Sequence, residues 1–261
     1  MGTYGEGILL SQKTRMEIMR RIIEYVPSKT IVLPHIASPD VEVAFSLAKY
    51  AKDLGYETVS SIGPVYHRPT LRGLIKYFDT LAKADVEIII YNNSGRLRYN
   101  ITPGMFENLV SEVPSIVGIK DSSYSIDQLL EYVVKFKNKF FIAGAGDNML
   151  YYTFTIGADA HICGISNAFP ELAVELYKAV INGNNARALV LQLLVNKIRN
   201  IAKMFSAESS EVIRDVLRMR GINSGYPLYV VGGLEDEERR KLRRIIEDFI
   251  KELNEVGGLN L

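Results

Sequence analysis

Lys120 has a position and neighbours that could make it a nucleophile. It follows the mainly apolar run at residues 115–119 and precedes the small polar residues at 121–123. A short apolar run bounded by turn-forming residues is typical of a strand buried on both faces. Burial favours the neutral form of a lysine, and a neutral amine can attack a ketone to form an imine. The alternative is a strand-end lysine that reaches solvent or pairs with Asp121.

Polar residues also follow the other apolar runs, at the points where those runs end. In parallel α/β barrels the functional residues lie at the carboxyl ends of the strands. We therefore expect one rim to carry polar segments from several strands. Packing of single tyrosines and ordinary loop polarity are the alternative explanation. These segments are residues 64–68, 91–96, 120–123, 144–147 and 166–167.

The elements that would position these residues follow a repeating order of strand, polar loop and amphipathic helix. The spacing of apolar residues predicts six strands, and such units are typical of a parallel sheet. After Ser166 the pattern predicts helices only. The predicted strands are 30–34, 57–62, 86–91, 116–120, 140–143 and 160–165, and the later helices are 170–181, 185–205, 210–220 and 235–256.

Composition limits the classes of protein that the chain can belong to. Its 261 residues, 48% of them apolar, suit one large domain or two small ones. A net charge of +1 gives no footprint for nucleic acid or an anionic membrane. There is no long apolar run that could span a membrane, and no secretory signal is visible. The single cysteine, Cys163, is expected in the core and fits a reducing, cytoplasmic compartment.

Several other chemistries lack their motifs. His35, His67 and His161 do not have the spacing of zinc ligands, so we expect no metal. His161 opens an apolar run and is expected to be a hydrogen-bonded core residue. No GxSxG elbow is present, and residues 2–7 match neither GxGxxG nor a P-loop.

Three segments resemble signatures of the dihydrodipicolinate synthase / N-acetylneuraminate lyase family. They are residues 2–7 (GTYGEG), 91–92 (YN) and 118–121 (GIKD). The resemblance extends over nearly the whole chain. It implies a (β/α)8 barrel with further C-terminal helices, and a Schiff base with pyruvate or another 2-oxo acid. The motifs are specific for the superfamily and weak for the substrate.

The resemblance also implies roles for individual residues. Lys120 would be the imine-forming nucleophile, and Tyr91 would move protons as general acid and base. Thr3 and the amides of the glycine turn would hold the 2-oxo acid carboxylate. Tyr66 would reach into the site of a neighbouring subunit, and Arg96 would face the carboxylate of the second substrate.

Two further positions need comment. Gly146 would give a close backbone approach at a later strand of the barrel. Tyr4 stands where the family usually has a threonine, which we assign to the proton relay of the synthases. This departure argues against synthase activity and for an aldolase whose pocket is reshaped by Tyr4.

Members of the family carry a further segment before the glycine turn. The resemblance therefore predicts a barrel that lacks its first one to two strands, either as an N-terminal truncation or with neighbouring subunits covering the gap. Residues 1–168 would form this barrel portion, and residues 169–261 the last barrel helix and a C-terminal helical extension. An open barrel exposes strand edges. We therefore expect poor solubility or association into a homo-oligomer, a tetramer or dimer.

The sequence thus predicts a class I aldolase that needs no cofactor. Its partners would be pyruvate and an aldehyde, and the favoured substrates are 2-keto-3-deoxy sugar acids. Dihydrodipicolinate synthase activity, the condensation of pyruvate with aspartate semialdehyde, is one alternative. A barrel that has lost catalysis and serves as a binding or scaffold protein is another. A phosphate-binding barrel isomerase is a third, for which Gly144 and Gly146 are a weak match.

Overall fold

The computed structural model describes residues 1–259. They form two compact units, Met1–Ala143 and a second unit that begins at Gly144. The boundary predicted after residue 168 is a different one, between the barrel portion and the C-terminal helical extension. It stays a prediction. Within the described residues, no helix is both long and apolar enough to cross a bilayer.

The first unit alternates helices with the strands of a sheet. Strands β1 and β2 pair in parallel, as do β2 and β3, and β4 is next in the sheet order. The last two residues of β4 belong to the second unit. The elements are α1 (Gln12–Tyr25), α2 (Val41–Asp53), β1 (Thr58–Ile62), α3 (Leu71–Ala82), β2 (Glu87–Asn92), α4 (Ser94–Leu97), α5 (Pro103–Glu112), β3 (Ile116–Asp121), α6 (Ile126–Phe136) and β4 (Phe141–Ala145).

Side-chain caps fix where the long helices of the first unit begin. Ser11, Asp40, Thr70, Thr102 and Ser125 each accept a hydrogen bond from a backbone amide in the first turn of the helix that follows. A cap of this kind satisfies an amide that has no partner within the helix. The capping residues therefore mark where the loops after β1, β2 and β3 end, and the polar residues that follow these strands lie on those loops.

The predicted strand at 30–34 is wrong. Only His35 bridges to Ser60, through the hydrogen bonds Ser60 N–H to Pro34 O (2.8 Å) and Ile36 N–H to Ser60 O (2.9 Å). Ile31 is 91% exposed, Val32 and Leu33 are half-buried, and only Pro34 of this run is buried. Pro34 has no amide to contribute to a ladder. Residues 1–259 therefore contain five strands, not six.

The second unit is mainly helical, as predicted for the chain after Ser166. A short strand, β5, follows β4 in the sheet order. Cys163 is buried with the apolar side chains of the helices, which confirms the prediction of a core thiol. The ring nitrogens of His161 lie 2.9 Å from Thr153 Oγ1 and 3.1 Å from Gly146 O, so this histidine is hydrogen-bonded as predicted. The elements are α7 (Leu150–Thr155), β5 (Ala160–Ile162), α8 (Pro170–Ile181), α9 (Asn185–Ala202), α10 (Ser209–Met219) and α11 (Asp236–Glu255).

Gly118 allows β3 and β4 to approach each other closely just before Lys120. A Cβ atom added at Gly118 would lie 2.3 Å from the backbone oxygen of Phe141. We expect Gly118→Ala to lower the free energy of unfolding by about 1–3 kcal/mol, because a strand has to move. Urea unfolding followed by circular dichroism would measure the change.

Gly104 in α5 provides the matched control for this prediction. A Cβ atom there would meet no atom within 4 Å, so Gly104→Ala should leave stability unchanged or raise it by up to about 1 kcal/mol. Equal urea midpoints for the two variants would contradict a close approach of the strands at Gly118.

Candidate active site

Lys120 and Tyr91 lie side by side because of the register of the sheet. Tyr91 of β2 pairs with Lys120 of β3, and paired residues of neighbouring strands point to the same face. The Nζ atom of Lys120 lies 3.8 Å from the centre of the Tyr91 ring. Lys120 is half-buried and Tyr91 is 6% exposed. The amine and the phenol are therefore close enough to act on one small molecule.

The hydroxyl group of Tyr91 lies among three polar side chains. Thr3 Oγ1 lies 3.3 Å from Tyr91 Oη, and Asn93 Nδ2 donates to the same oxygen at 2.8 Å. Ser122 also forms a side-chain hydrogen bond with Tyr91. The phenol is thus the centre of a hydrogen-bonded group that could receive or release a proton.

The electrostatic surroundings of Tyr91 favour its ionisation. Burial by itself raises the pKa of Tyr91, but the charge of Lys120 and the hydrogen bonds with Thr3, Ser122 and Asn93 together lower it more strongly. The net effect is a pKa below the ordinary value of the phenol. Tyr91 is therefore better suited to proton transfer near neutral pH than an ordinary tyrosine.

The ring of His35 lies beside that of Tyr91. The centres of the two rings are 5.7 Å apart, and His35 Nδ1 lies 3.0 Å from Ser60 Oγ. Burial, together with neighbouring positive charges that include Arg15 and Lys120, lowers the pKa of His35 to about 3. The imidazole is therefore neutral at physiological pH and contributes no positive charge to the site.

The glycine turn places Thr3 against Tyr91, and three of its backbone amides are used within the turn. The amides of Gly5, Glu6 and Gly7 donate to backbone oxygens within the turn, at 3.1, 3.2 and 3.4 Å. They are not available to a carboxylate, so the prediction that the turn amides form an anion nest is wrong for these three. The side chain of Thr3 is the part of the turn that contacts Tyr91 in the site.

The structure also corrects our interpretation of Tyr4. We assigned the relay position to the second residue of the glycine turn, where Tyr4 stands. Thr3 is the residue whose hydroxyl contacts Tyr91, whereas the side chain of Tyr4 is 39% exposed. Tyr4 therefore does not displace the hydroxyl beside Tyr91, and the effect of its ring on the pocket stays a prediction.

The structure describes the exposure and backbone of three other predicted site residues. Tyr66 is 83% exposed and has a φ angle of 75°, which is strained for an aromatic residue. Arg96 is exposed and lies in α4. Gly146 has a φ angle of 96° and lies in the second unit, where its carbonyl accepts a hydrogen bond from the amide of Met149. The roles of these residues stay predictions.

A polar anchor lies on the opposite face of the same two strands. Asp121 and Asn92 are the register partners that follow Lys120 and Tyr91. The carboxylate of Asp121 accepts from Asn92 Nδ2 (2.7 Å), Gln128 Nε2 (3.1 Å) and Ser123 Oγ (2.6 Å). Burial raises the pKa of Asp121 although these hydrogen bonds act in the opposite direction. The anchor joins the ends of β2 and β3 and so holds Tyr91 and Lys120 in place.

We expect Asp121→Leu to destabilise the protein strongly. The donors of Asn92, Gln128 and Ser123 would lose a buried acceptor, and each such loss costs about 1–3 kcal/mol. The free energy of unfolding in urea should fall by roughly 3 kcal/mol or more. Asp121→Asn keeps one acceptor oxygen and should cost clearly less. Equal unfolding midpoints for the two variants would contradict this role of the carboxylate.

The arrangement defines a class of enzyme. A lysine and a tyrosine lie on paired strands of a parallel α/β sheet, with polar groups around the phenol, and this arrangement suits the imine and proton-transfer chemistry of a class I aldolase. Such enzymes are carbon–carbon lyases that act through a Schiff base.

Comparisons with known proteins place the chain within this class. The family model described as the dihydrodipicolinate synthetase family matches residues 1–249. The 4-hydroxy-tetrahydrodipicolinate synthase of Methanosphaerula palustris is 29% identical over 253 residues, which cover 95% of this chain and 84% of the relative. The chain belongs to the dihydrodipicolinate synthetase family.

Solved structures support the barrel fold. The KD(P)GA from T. tenax is 26% identical with a TM-score of 0.88, and the match covers 97% of this chain and 86% of that one. A variant of the Sulfolobus solfataricus 2-keto-3-deoxygluconate aldolase has a TM-score of 0.89 at 24% identity, covering 100% and 86% of the two chains. The fold is therefore the α/β barrel that the sequence predicted.

Three residues near the phenol had no assigned function in the sequence analysis. Asn93 and Ser122 each lie two residues after a predicted site residue, Tyr91 and Lys120. Their position next to the carboxyl end of a strand is the feature of the sequence that could have predicted a place in the site. His35 was considered only as a metal ligand. Its place beside Tyr91 depends on the bridge between His35 and Ser60, which lies outside the predicted strand at 30–34.

Proposed function

We propose that the chain is a pyruvate-dependent class I aldolase in which Lys120 forms a Schiff base with a 2-oxo acid. The observation that carries this proposal is the 3.8 Å separation between Lys120 Nζ and the ring of Tyr91. The amine attacks the ketone carbon, water leaves, and the resulting iminium withdraws electrons from C3. Tyr91 exchanges the protons that these steps require, and Thr3 offers a hydrogen bond to the carboxylate.

The iminium permits two related reactions. Loss of a proton from C3 gives an enamine, which can add to an aldehyde to form a C3–C4 bond. In the reverse direction, the C3–C4 bond of a longer 2-oxo acid breaks, its electrons enter the iminium, and an aldehyde leaves. The proton gained or lost at the C4 oxygen passes through the phenol of Tyr91.

The preferred substrates in this proposal are 2-keto-3-deoxy sugar acids. Their hydroxyl groups need hydrogen-bonding partners, and the hydroxyl groups of Thr3 and Ser122 lie beside Tyr91, next to Lys120. The names of the two aldolase structures described above agree with this choice.

Synthase activity, the condensation of pyruvate with aspartate semialdehyde, is the second candidate. The contact between Thr3 and Tyr91 favours it, because Thr3 supplies the hydroxyl of the proton relay that the sequence analysis assigned to the position of Tyr4. The name of the curated relative agrees with it. The proposal retains the predicted homo-oligomer, in which Tyr66 would serve a neighbouring copy.

Borohydride reduction in the presence of pyruvate tests the shared chemistry. We expect a reduced pyruvate adduct on Lys120, located by peptide mass spectrometry, and none when pyruvate is omitted. An adduct elsewhere, or no adduct, would reject the Schiff base on Lys120. Measuring turnover of pyruvate with glyceraldehyde and with aspartate semialdehyde would then separate the two candidates.

A further inference from the structure

Asn93 lies directly against the phenol of Tyr91. Its side-chain nitrogen donates a 2.8 Å hydrogen bond to Tyr91 Oη, and the residue is only 9% exposed. Asn93 also occupies the N-cap position of α4, where an asparagine usually accepts a hydrogen bond from a helix amide. It makes no such cap bond. The side-chain nitrogen of Asn93 therefore bonds to Tyr91, and its side-chain oxygen caps no amide of α4.

The chemistry of this amide fixes the direction of the hydrogen bonds around Tyr91. A side-chain NH2 group can only donate, so the phenol oxygen is the acceptor in its bond with Asn93. The hydrogen of the phenol then points to one of its other two hydrogen-bonding partners, Thr3 and Ser122, and Thr3 Oγ1 lies 3.3 Å away. Once Thr3 accepts from Tyr91, its own hydrogen is free to point towards a ligand.

We propose that Asn93 is a positioning residue that fixes the direction of two hydrogen bonds. Asn93 donates to Tyr91 and Tyr91 donates to Thr3, so that Thr3 donates to the carboxylate of the bound 2-oxo acid. This inference rests on the proposed function, because it assigns the ligand to the same site. It assigns Asn93 no contact with the substrate, and Asn93 acts only through Tyr91.

The same hydrogen bond has a consequence for proton transfer. When Tyr91 releases its proton, Asn93 still donates to the phenolate, and a hydrogen bond to the charged form favours that form. The hydrogen bond from Asn93 is one of the causes that bring the pKa of Tyr91 below its ordinary value despite burial. Loss of this donor should therefore make Tyr91 a weaker acid.

The test uses the exchange of the pyruvate methyl protons in deuterium oxide, followed by proton NMR. This reaction reports enamine formation on Lys120 and needs no aldehyde. We expect Asn93→Leu to exchange about 10-fold more slowly near neutral pH, because acid–base catalysis contributes factors of this size or larger. In the pH profile of the exchange rate, the midpoint of the limb that depends on Tyr91 should rise by about one pH unit, because the phenolate loses one charge-assisted hydrogen-bond donor.

Two further variants make the test specific. Asn93→Asp places an acceptor where the amide donated, so Tyr91 has to donate to it and the order of the chain reverses. We expect a larger loss of exchange than in Asn93→Leu, and a higher pyruvate concentration at half-maximal rate. Asn108→Leu removes an exposed amide on α5 that donates to Gly104 O, and should leave rate and pH profile unchanged.

The outcomes separate this inference from the proposed function. No borohydride adduct on Lys120 of the unmodified protein would reject the proposed function. A normal adduct, with a pH limb in Asn93→Leu equal to that of the unmodified protein, would reject the role of Asn93 alone. If Asn93→Leu does not fold, as judged by circular dichroism, Asn93→Ser replaces it, and the same upward movement of the limb is expected.

Discussion

Replacing Lys120 with methionine should abolish the covalent chemistry. Methionine has a similar length but no amine, so no imine can form and no reduced pyruvate adduct should appear by mass spectrometry. We expect proton exchange of pyruvate to fall by at least about 10³-fold, because the loss of a nucleophile removes a whole reaction path. Lys120→Arg should behave in the same way, since a guanidinium stays charged and does not form an imine.

The fold should survive this change. The contact between Lys120 and the ring of Tyr91 is a cation–π interaction, which is worth about 0.5–2 kcal/mol. An apolar side chain at a half-buried strand end compensates part of that loss. Lys76→Met, on the exposed surface of α3, is the matched control and should keep both the adduct and the exchange rate. Full exchange activity in Lys120→Met would remove the basis of the proposed function.

The sequence could predict the pairing of Lys120 with Tyr91 because parallel strands repeat at a regular spacing. Once both residues are placed at the carboxyl ends of adjacent strands, their proximity follows from the geometry of the sheet. The helix starts at Ser11, Thr70 and Thr102 were predictable for a similar reason, since capping is a local interaction.

The parts that failed depend on contacts between distant segments. Ile31 has the composition of a strand residue, but it is exposed because no neighbouring strand pairs with its run. Which of two adjacent turn residues, Thr3 or Tyr4, reaches Tyr91 depends on how the glycine turn folds over β2. The hydrogen bond from Asn93 to Tyr91 likewise depends on the conformation of the loop after β2, which the sequence pattern does not determine.

Replacing Tyr91 with phenylalanine should slow proton transfer and leave imine formation possible. The ring stays in contact with Lys120, whereas the hydroxyl group that meets Thr3 and Asn93 is lost. We expect pyruvate proton exchange to fall by about 10²–10⁴-fold, the usual range for a lost acid–base group. The borohydride adduct on Lys120 should still form, although more slowly. The limb of the pH profile that depends on the phenol should disappear.

Tyr56→Phe is the control that separates a lost catalytic hydroxyl from a lost buried hydroxyl. The hydroxyl of Tyr56 donates to Met19 O at 2.8 Å, and its removal should cost about 1 kcal/mol of stability without changing exchange. In Tyr91→Phe, the Asn93 amide and the Thr3 hydroxyl also lose their common partner, so some loss of stability is expected there too. The pH profile decides between the two explanations, because a purely structural loss lowers the rate at every pH equally. A Tyr91→Phe enzyme that keeps both limbs of the profile would show that another group, such as the neutral His35, moves the proton.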